Sequence, residues 1–321
     1  MSTAKHTLWP PLLRRLLMLR TRHAQGEASP RKTSTGVTAS RTFALGTFAF
    51  GTVAFGTMVL GTMVLGFAAI SRPLTAPLAG TVEMSDMTWV EIRSAIQRGY
   101  DTVLVPSGGI EQNGPHMITG KHQHIVQLTS RMMAEAHGRT LVAPVIAYVP
   151  QGDYATPTGN MLFPGTIGIP EDVFAATLEG IARSLKNAGF KRIVFMADHG
   201  GSQAPQARAA AKLALEWAAS GPRVLALDAY YTKGDEAQQA WLKANGETTA
   251  AIGDHAGLQD TAELLHAHVA GVKLERTQTL LPSFEAHGAS GKPERSTPQM
   301  GQKLIELKVK AGLDQLKSAQ F

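Results

Sequence analysis

Along residues 100–230, short apolar runs bounded by turn-forming residues alternate with stretches where apolar positions recur every three or four residues. The runs fall at 102–106, 141–149, 192–197 and 223–227, and the helical spacing falls at 125–136, 170–188 and 205–219. Continuous apolar runs suit strands buried on both faces, and their alternation with amphipathic helices predicts an α/β fold: a mostly parallel sheet flanked by helices on both faces. A further amphipathic helix is expected over 87–98, with Ser85 or Asp86 as its N-cap. In such sheets ligands collect just beyond the carboxyl ends of the strands. Polar clusters directly after the runs are therefore the places to look for chemistry.

The pattern changes abruptly before this region. Residues 42–71 carry no charge, and within them a five-residue unit beginning Gly-Thr repeats from Gly46, Gly51, Gly56 and Gly61. A run of 30 residues is long enough to cross a bilayer as a helix. It reads either as the apolar core of a cleaved signal peptide or as an uncleaved anchor, while four regularly spaced glycines disfavour a buried core helix. The residues before it are basic. By the positive-inside rule the rest of the chain is then exported, to the periplasm or to a membrane-anchored position facing it. The expected organisation is a basic leader (1–41), the apolar segment (42–71) with a hydrophobic helix, a linker (72–86) and one α/β domain (87–321).

The charge then needs reinterpretation. The formal net charge is +6, but residues 1–41 hold eight Lys and Arg against Glu27, which is +7 and leaves −1 for all that follows. The body shows no basic stripe with interleaved aromatics, so a nucleic-acid partner is not expected. The chain has no cysteine. Any metal must therefore sit on His, Asp, Glu or amide groups.

Three clusters carry candidate chemistry. After the first run, a Gly/Pro-rich stretch holds Glu111, Asn113, His116, His122 and His124. After the third run come Asp198, His199, Gly200, Gly201 and Ser202. A later stretch holds His255, Asp260 and Glu263. One carboxylate with several imidazoles is ligand chemistry for zinc, manganese or iron. Taken singly, each cluster also reads as a solvated loop, a tight turn or a helix cap, with Asp260 as N-cap and Glu263 completing a capping box.

Together the motifs resemble the creatininase family of amidohydrolases. Glu111-Gln112-Asn113-Gly114-Pro115-His116 is similar to the family's Glu-x-His-Gly-x-His loop. Ala197-Asp198-His199-Gly200-Gly201-Ser202 is similar to Asn-Gly-His-Gly-Gly-Asn, and His255-Ala256-Gly257-Leu258-Gln259-Asp260-Thr261 to His-Ala-Gly-x-x-Glu-Thr. Phe163-Pro164-Gly165-Thr166 and the Gly-rich stretch Gly288-Ala289-Ser290-Gly291 resemble two further family elements, in the family's order. The resemblance implies a single creatininase-like domain hydrolysing an amide C–N bond in a small molecule, through a metal-activated water. It also implies a homo-oligomer, commonly a hexamer. In the family the positions of Glu111, Asn113, His122 and His199 bind metal, that of Asp260 is a glutamate, and that of His255 moves a proton.

Three of those positions differ here. Asn113 stands where the family has His, His122 where it has Asp, and Asp260 where it has Glu. An amide is a poor ligand and an imidazole does not bridge two ions, so the resemblance implies one divalent ion, zinc in first place, on Glu111, His122 and His199, with Asp260 as an additional ligand. Glu111 and His255 are the candidate catalytic residues. Asn113, His116, Asp198, Gly200 and Gly201 are candidates for contact with substrate or support of the ligands, with the glycine amides facing a developing oxyanion. The competing expectation is a degenerate member that binds a small molecule without hydrolysing it. Trp89, Trp217 and Trp241 are read as packing residues, Tyr230 and Tyr231 as core edge or substrate contacts, and His266 and His268 as helix-surface residues.

Overall fold

The computed structural model describes residues 80–279 and 284–319. The basic leader, the apolar segment with its expected helix and most of the linker lie outside the described residues. The chain divides into units 1–67 and 68–321, and the architecture below belongs to the second. Among the described residues no helix is long and apolar enough to cross a membrane.

Four strands, β1 (Thr102–Ser107), β2 (Thr140–Val142), β3 (Arg192–Ala197) and β4 (Arg223–Ala226), form one parallel sheet in the order β2-β1-β3-β4. Helices α1 (Trp89–Gln97), α2 (Lys121–His137), α3 (Glu171–Ala188) and α4 (Gln203–Glu216) each lead into a strand. They are followed by α5 (Asp228–Ala244), α6 (Thr249–Ile252), α7 (Leu258–Ala267), α8 (Phe284–His287) and α9 (Pro298–Ser318). Alternate strand side chains face opposite ways. Val103, Val105, Ile193 and Phe195 pack with Phe174, Leu178, Leu213 and Trp217 on one face. Leu104, Val194 and Met196 pack with Ile125, Met133, Tyr230 and Ile305 on the other. The sheet is thus covered on both faces, as its apolar runs require.

Three elements differ from the sequence expectation, each for a local reason. The run at 141–149 gives a ladder only over Thr140–Val142; Ala143 N still donates to Leu104 O at 2.9 Å, Pro144 is tolerated because its nitrogen faces the outer edge, and Ile146 and Val149 make isolated bridges instead. The first helix is capped by Thr88, whose side chain and that of Glu91 form a capping box, while Ser85 and Asp86 are used in a preceding 3-10 turn. Residues 82–86, expected as linker, belong to the body: Val142 N donates to Val82 O at 2.8 Å, and Met84 packs on the core. Of the tryptophans, Trp217 is buried, but Trp89 is 65% exposed, with the Arg93 guanidinium over its ring. His266 and His268 are half-buried, the latter stacked on His124 at 4.0 Å.

Candidate active site

The site forms where the ends of β1 and β3 meet the first turn of α2. Gly108 makes this approach possible, since a Cβ there would lie 2.7–2.9 Å from the backbone of His122 and Gln123. The N-terminus of α2 therefore packs directly on the loop after β1. His122, expected in a loop, stands in the first turn of a helix, and its ring reaches two carboxylates. Nε2 lies 2.8 Å from Glu111 Oε1 and Nδ1 lies 2.8 Å from Asp198 Oδ2. His199 completes the group, with Nε2 3.0 Å from Glu111 Oε2. Asp198 and His199 are adjacent in the chain but point apart, so Asp198 supports His122 and not its neighbour.

Glu111 is 1% exposed and ionised. Burial pushes its carboxyl up, but His122, His199 and Lys121 together outweigh that and hold it well below the usual carboxylate range. Asn160 donates to its Oε2 at 2.8 Å. Burial and the Lys121 ammonium press the His122 imidazolium to release its proton, yet the carboxylates of Glu111 and Asp198 raise its pKa overall. Burial likewise opposes the charge on Asp198, and the ammonium of Lys308 and His122 overcome it.

The third cluster arrives beside Glu111 on a strained turn. Ala256 has φ +49°, a conformation that non-glycine residues adopt at a cost of about 1 kcal/mol. Its N–H donates to Asp260 Oδ2 at 2.7 Å, which holds the turn. The cap of α7 is Gly257, so Asp260 is not the N-cap, and Glu263 faces a different network. The stretch Gly288–Gly291 supports the turn from outside: Ser290 Oγ accepts from Asp254 N at 2.8 Å and His255 N at 3.2 Å. His255 Nε2 donates to the carbonyl of Gln112 at 2.9 Å, which leaves Nδ1 as the basic nitrogen, 4.0 Å from Glu111 Oε1. Burial keeps this imidazole's pKa below its ordinary value, and thus neutral at pH 7.

Two lysines that sequence reasoning had not placed in the site dominate its electrostatics. Lys121, 1% exposed, has its Nζ 2.9 Å from Asp260 Oδ2 and 3.8 Å from Glu111 Oε1. Burial favours its neutral form, but these two carboxylates win and raise its pKa. Behind the site, Lys308 of α9 bonds Asp198 Oδ1 at 2.9 Å and Glu263 Oε1 at 3.0 Å. Tyr230 OH donates to the same Asp198 oxygen at 2.7 Å, and Gln238 donates to Glu263 at 2.6 Å. The only sequence signal for either lysine was a charge at a position where helical spacing demands an apolar residue.

Of the expected site residues, Glu111, His122, Asp198, His199 and His255 converge. Asp260 lies beside them but is committed to Lys121 and Ala256. Asn113 closes its own loop, donating to the carbonyls of Glu111 and Ile118 at 3.0 and 3.2 Å. His116 is fully buried on Thr261 at 2.9 Å, and burial lowers its pKa to about 4. Gly201 approaches Pro150 O so closely that a Cβ would lie 2.7 Å from it, and it lines a cavity of about 580 Å³ with His199, Asn160 and Gln151. Both amide atoms of Gln151 are buried without a partner, which marks it as a polar group the sequence did not single out. A smaller cavity of about 200 Å³ reaches His122, His255 and Asp260 from the α5 and α7 side.

The donor chemistry suits one divalent ion. Asp198 accepts a hydrogen bond from Nδ1–H of His122, so Nε2 is the nitrogen that would give up its proton to face an ion beside Glu111 and His199, the arrangement that commonly orients metal-bound imidazoles. Among the described residues no three His, Asp or Glu are arranged as a metal site as they stand; His122 and His199 each bond Glu111 directly, with their rings 5.5 Å apart. A second ion is not suited, because the Asn113 amide nitrogen is turned onto backbone carbonyls and the Lys121 ammonium stands between Glu111 and Asp260.

Residues 85–316 match the family model of creatininase, creatinine amidohydrolase, and the chain belongs to that family. It is 28% identical over 122 residues to a creatinine amidohydrolase of Pseudomonas putida, a match covering 38% of this chain and 46% of that protein. The aligned part is thus less than half of that relative's length. It is 27% identical over 230 residues to a mycofactocin precursor peptide peptidase of Mycobacterium tuberculosis, covering 64% of this chain and 80% of that one. A solved creatinine amidohydrolase (creatininase) superposes with a TM-score of 0.59 at 23% identity over 74% of this chain and 97% of the other. A manganese creatininase gives the same TM-score and identity. These structural likenesses establish the fold.

Proposed function

We propose that the chain hydrolyses an amide-type C–N bond in a small molecule, using one divalent ion on Glu111, His122 and His199. The observation that carries this reading is the pair of imidazole Nε2 atoms at 2.8 and 3.0 Å from the two oxygens of one ionised, buried carboxylate. The family's hydrolases support the bond type, and relatives named as amidohydrolase and peptidase support an amide. A metal ion bound there would lower the pKa of water and polarise the scissile carbonyl, with zinc well suited to the two-His, one-carboxylate set.

The chain's own residues do the rest. Asp198 fixes the His122 tautomer. His255, neutral and with Nδ1 free, accepts a proton at that atom and returns it to the leaving nitrogen. Asp260 and Lys121 hold the strained turn that positions His255. Gly201, which has to lack a side chain, leaves backbone at the cavity wall where an oxyanion can be met. Gln151 offers a free donor and acceptor to the substrate.

The test is hydrolysis of a panel of cyclic amides, formamides and short peptides by the full chain, before and after chelation. Loss on chelation, recovery with zinc or manganese, and loss of both ion and activity in His199→Ala are expected. Hydrolysis indifferent to chelator, in a protein without bound ion, would reject the metal. The binding-only reading is favoured by one observation, the ammonium of Lys121 built in beside Glu111. It predicts saturable binding of an amide with no turnover in the metal-loaded protein.

A further inference from the structure

The end of the sheet opposite the site carries a concentration of charge that hydrolysis does not use. Six cations, Arg139, Lys186, Lys191, Arg192, Arg223 and Lys317, line two adjoining depressions at the amino ends of the strands. Arg192 and Arg223 are paired in register on neighbouring strands, which sets like charges side by side. The carboxylates nearby are already engaged, Asp101 by Arg192 and Glu216 by Arg183. Helices α1 to α4 end here, and their dipoles account for Lys186 in a last turn. They do not account for Arg139, Lys191, Arg192 and Arg223, which stand at strand starts. The contrast with the rest of the body is large: with +7 in the leader and +1 at Arg72, residues 73–321 sum to −2.

The direction in which the chain enters points to the partner. Glu83 pairs in parallel with Val142, so residues 80–82 run back along β2 toward Arg139, and the described body begins at this basic end. Residue 71 closes the uncharged run, and the nine residues 72–80 extend at most about 30 Å. If the run is in a bilayer, the basic end is held near the headgroups, where attraction acts within about 8 Å.

We propose that this basic pole is a docking surface for an anionic phospholipid bilayer, which turns the hydrolase site away from the membrane. The proposal rests on reading residues 42–71 as a membrane segment and is independent of the hydrolytic chemistry. The chain has no cysteine, so a single introduced one labels one place. Ser220, exposed at the basic pole, and Ala155, exposed on the site side, are the two positions. Full-length Ser220→Cys and Ala155→Cys proteins, each with a fluorophore, are placed in lipid nanodiscs carrying headgroup spin labels.

With phosphatidylglycerol the Ser220 probe is expected to be quenched at least threefold more than the Ala155 probe. The difference should disappear in phosphatidylcholine, at 0.5 M salt, or with Lys191→Glu and Arg223→Glu together in a protein of unchanged urea midpoint. Equal quenching of the two probes, a difference indifferent to lipid charge, or a chain recovered outside the discs overturns the proposal. So does salt-sensitive binding of duplex DNA that competes with the lipid, which would assign the pole to another polyanion.

Discussion

Asp198 separates two networks of ionisable groups built from the same residue types. In front of it, His122, His199 and His255 border cavities and all face Glu111, and two of them keep a nitrogen in reserve: His199 Nδ1 has no partner, and His255 Nδ1 stands 4.0 Å from Glu111. Behind it, Lys308, Glu263 and Gln238 touch the inner wall of the smaller cavity yet satisfy one another together with Tyr230, and the Lys308 ammonium is within 3.2 Å of three carboxylate oxygens. A network meant to act on something else leaves groups under-satisfied. One meant to hold helices together satisfies them, because an unpaired buried charge is costly. The buried charges are thus divided between chemistry in front and assembly of α7 and α9 behind.

The sharpest way to break this division is to remove one charge from each side. Lys308→Met should cost about 3–5 kcal/mol, since it leaves Asp198 and Glu263 buried without their cation; a urea melt measures it. Glu111→Gln should lower metal affinity and activity at least about a hundredfold, the upper range for supporting residues around metal sites, while moving the urea midpoint far less. If the two variants were equally destabilised, the front would be structural as well.

The pH dependence refines the comparison. Burial raises the Asp260 carboxyl, but Lys121 and His255 overcome this and hold it at about 2, below its ordinary 3.8. A depressed carboxylate contributes stability that is fully present above pH 5 and is lost as pH falls toward 2. The amount is about 2 kcal/mol. Lys121→Met should flatten that part of the stability profile, as read by thermal melts from pH 6 to pH 2. The smallest effect expected is Tyr230→Phe, which removes the hydroxyl donated to Asp198 at 2.7 Å and costs about 1–2 kcal/mol with activity nearly intact.

The sheet was legible because parallel strands buried on both faces must be apolar throughout, and β3 begins and ends where its apolar run does. β2 is shorter than its apolar run, since beyond Val142 the chain keeps only isolated contacts with β1 and with residues 168–169. Glu111, His199 and His255 were legible because they sit in motifs that resemble a family. Lys121 and Lys308 were not, because a lysine on a helix ordinarily faces water and the burial of these two is set by Asp260, 139 residues away, and Asp198, 110 residues away. The role of Asp260 was equally hidden: only the fold reveals that its carboxylate is taken by a neighbouring ammonium and by the N–H of Ala256.

The most direct test of the account is metal content by mass spectrometry, with zinc titration, on the full-length protein and on His199→Ala. One ion per chain in the former and none in the latter is predicted. Two ions per chain, or no ion in the former under saturating zinc, would contradict it.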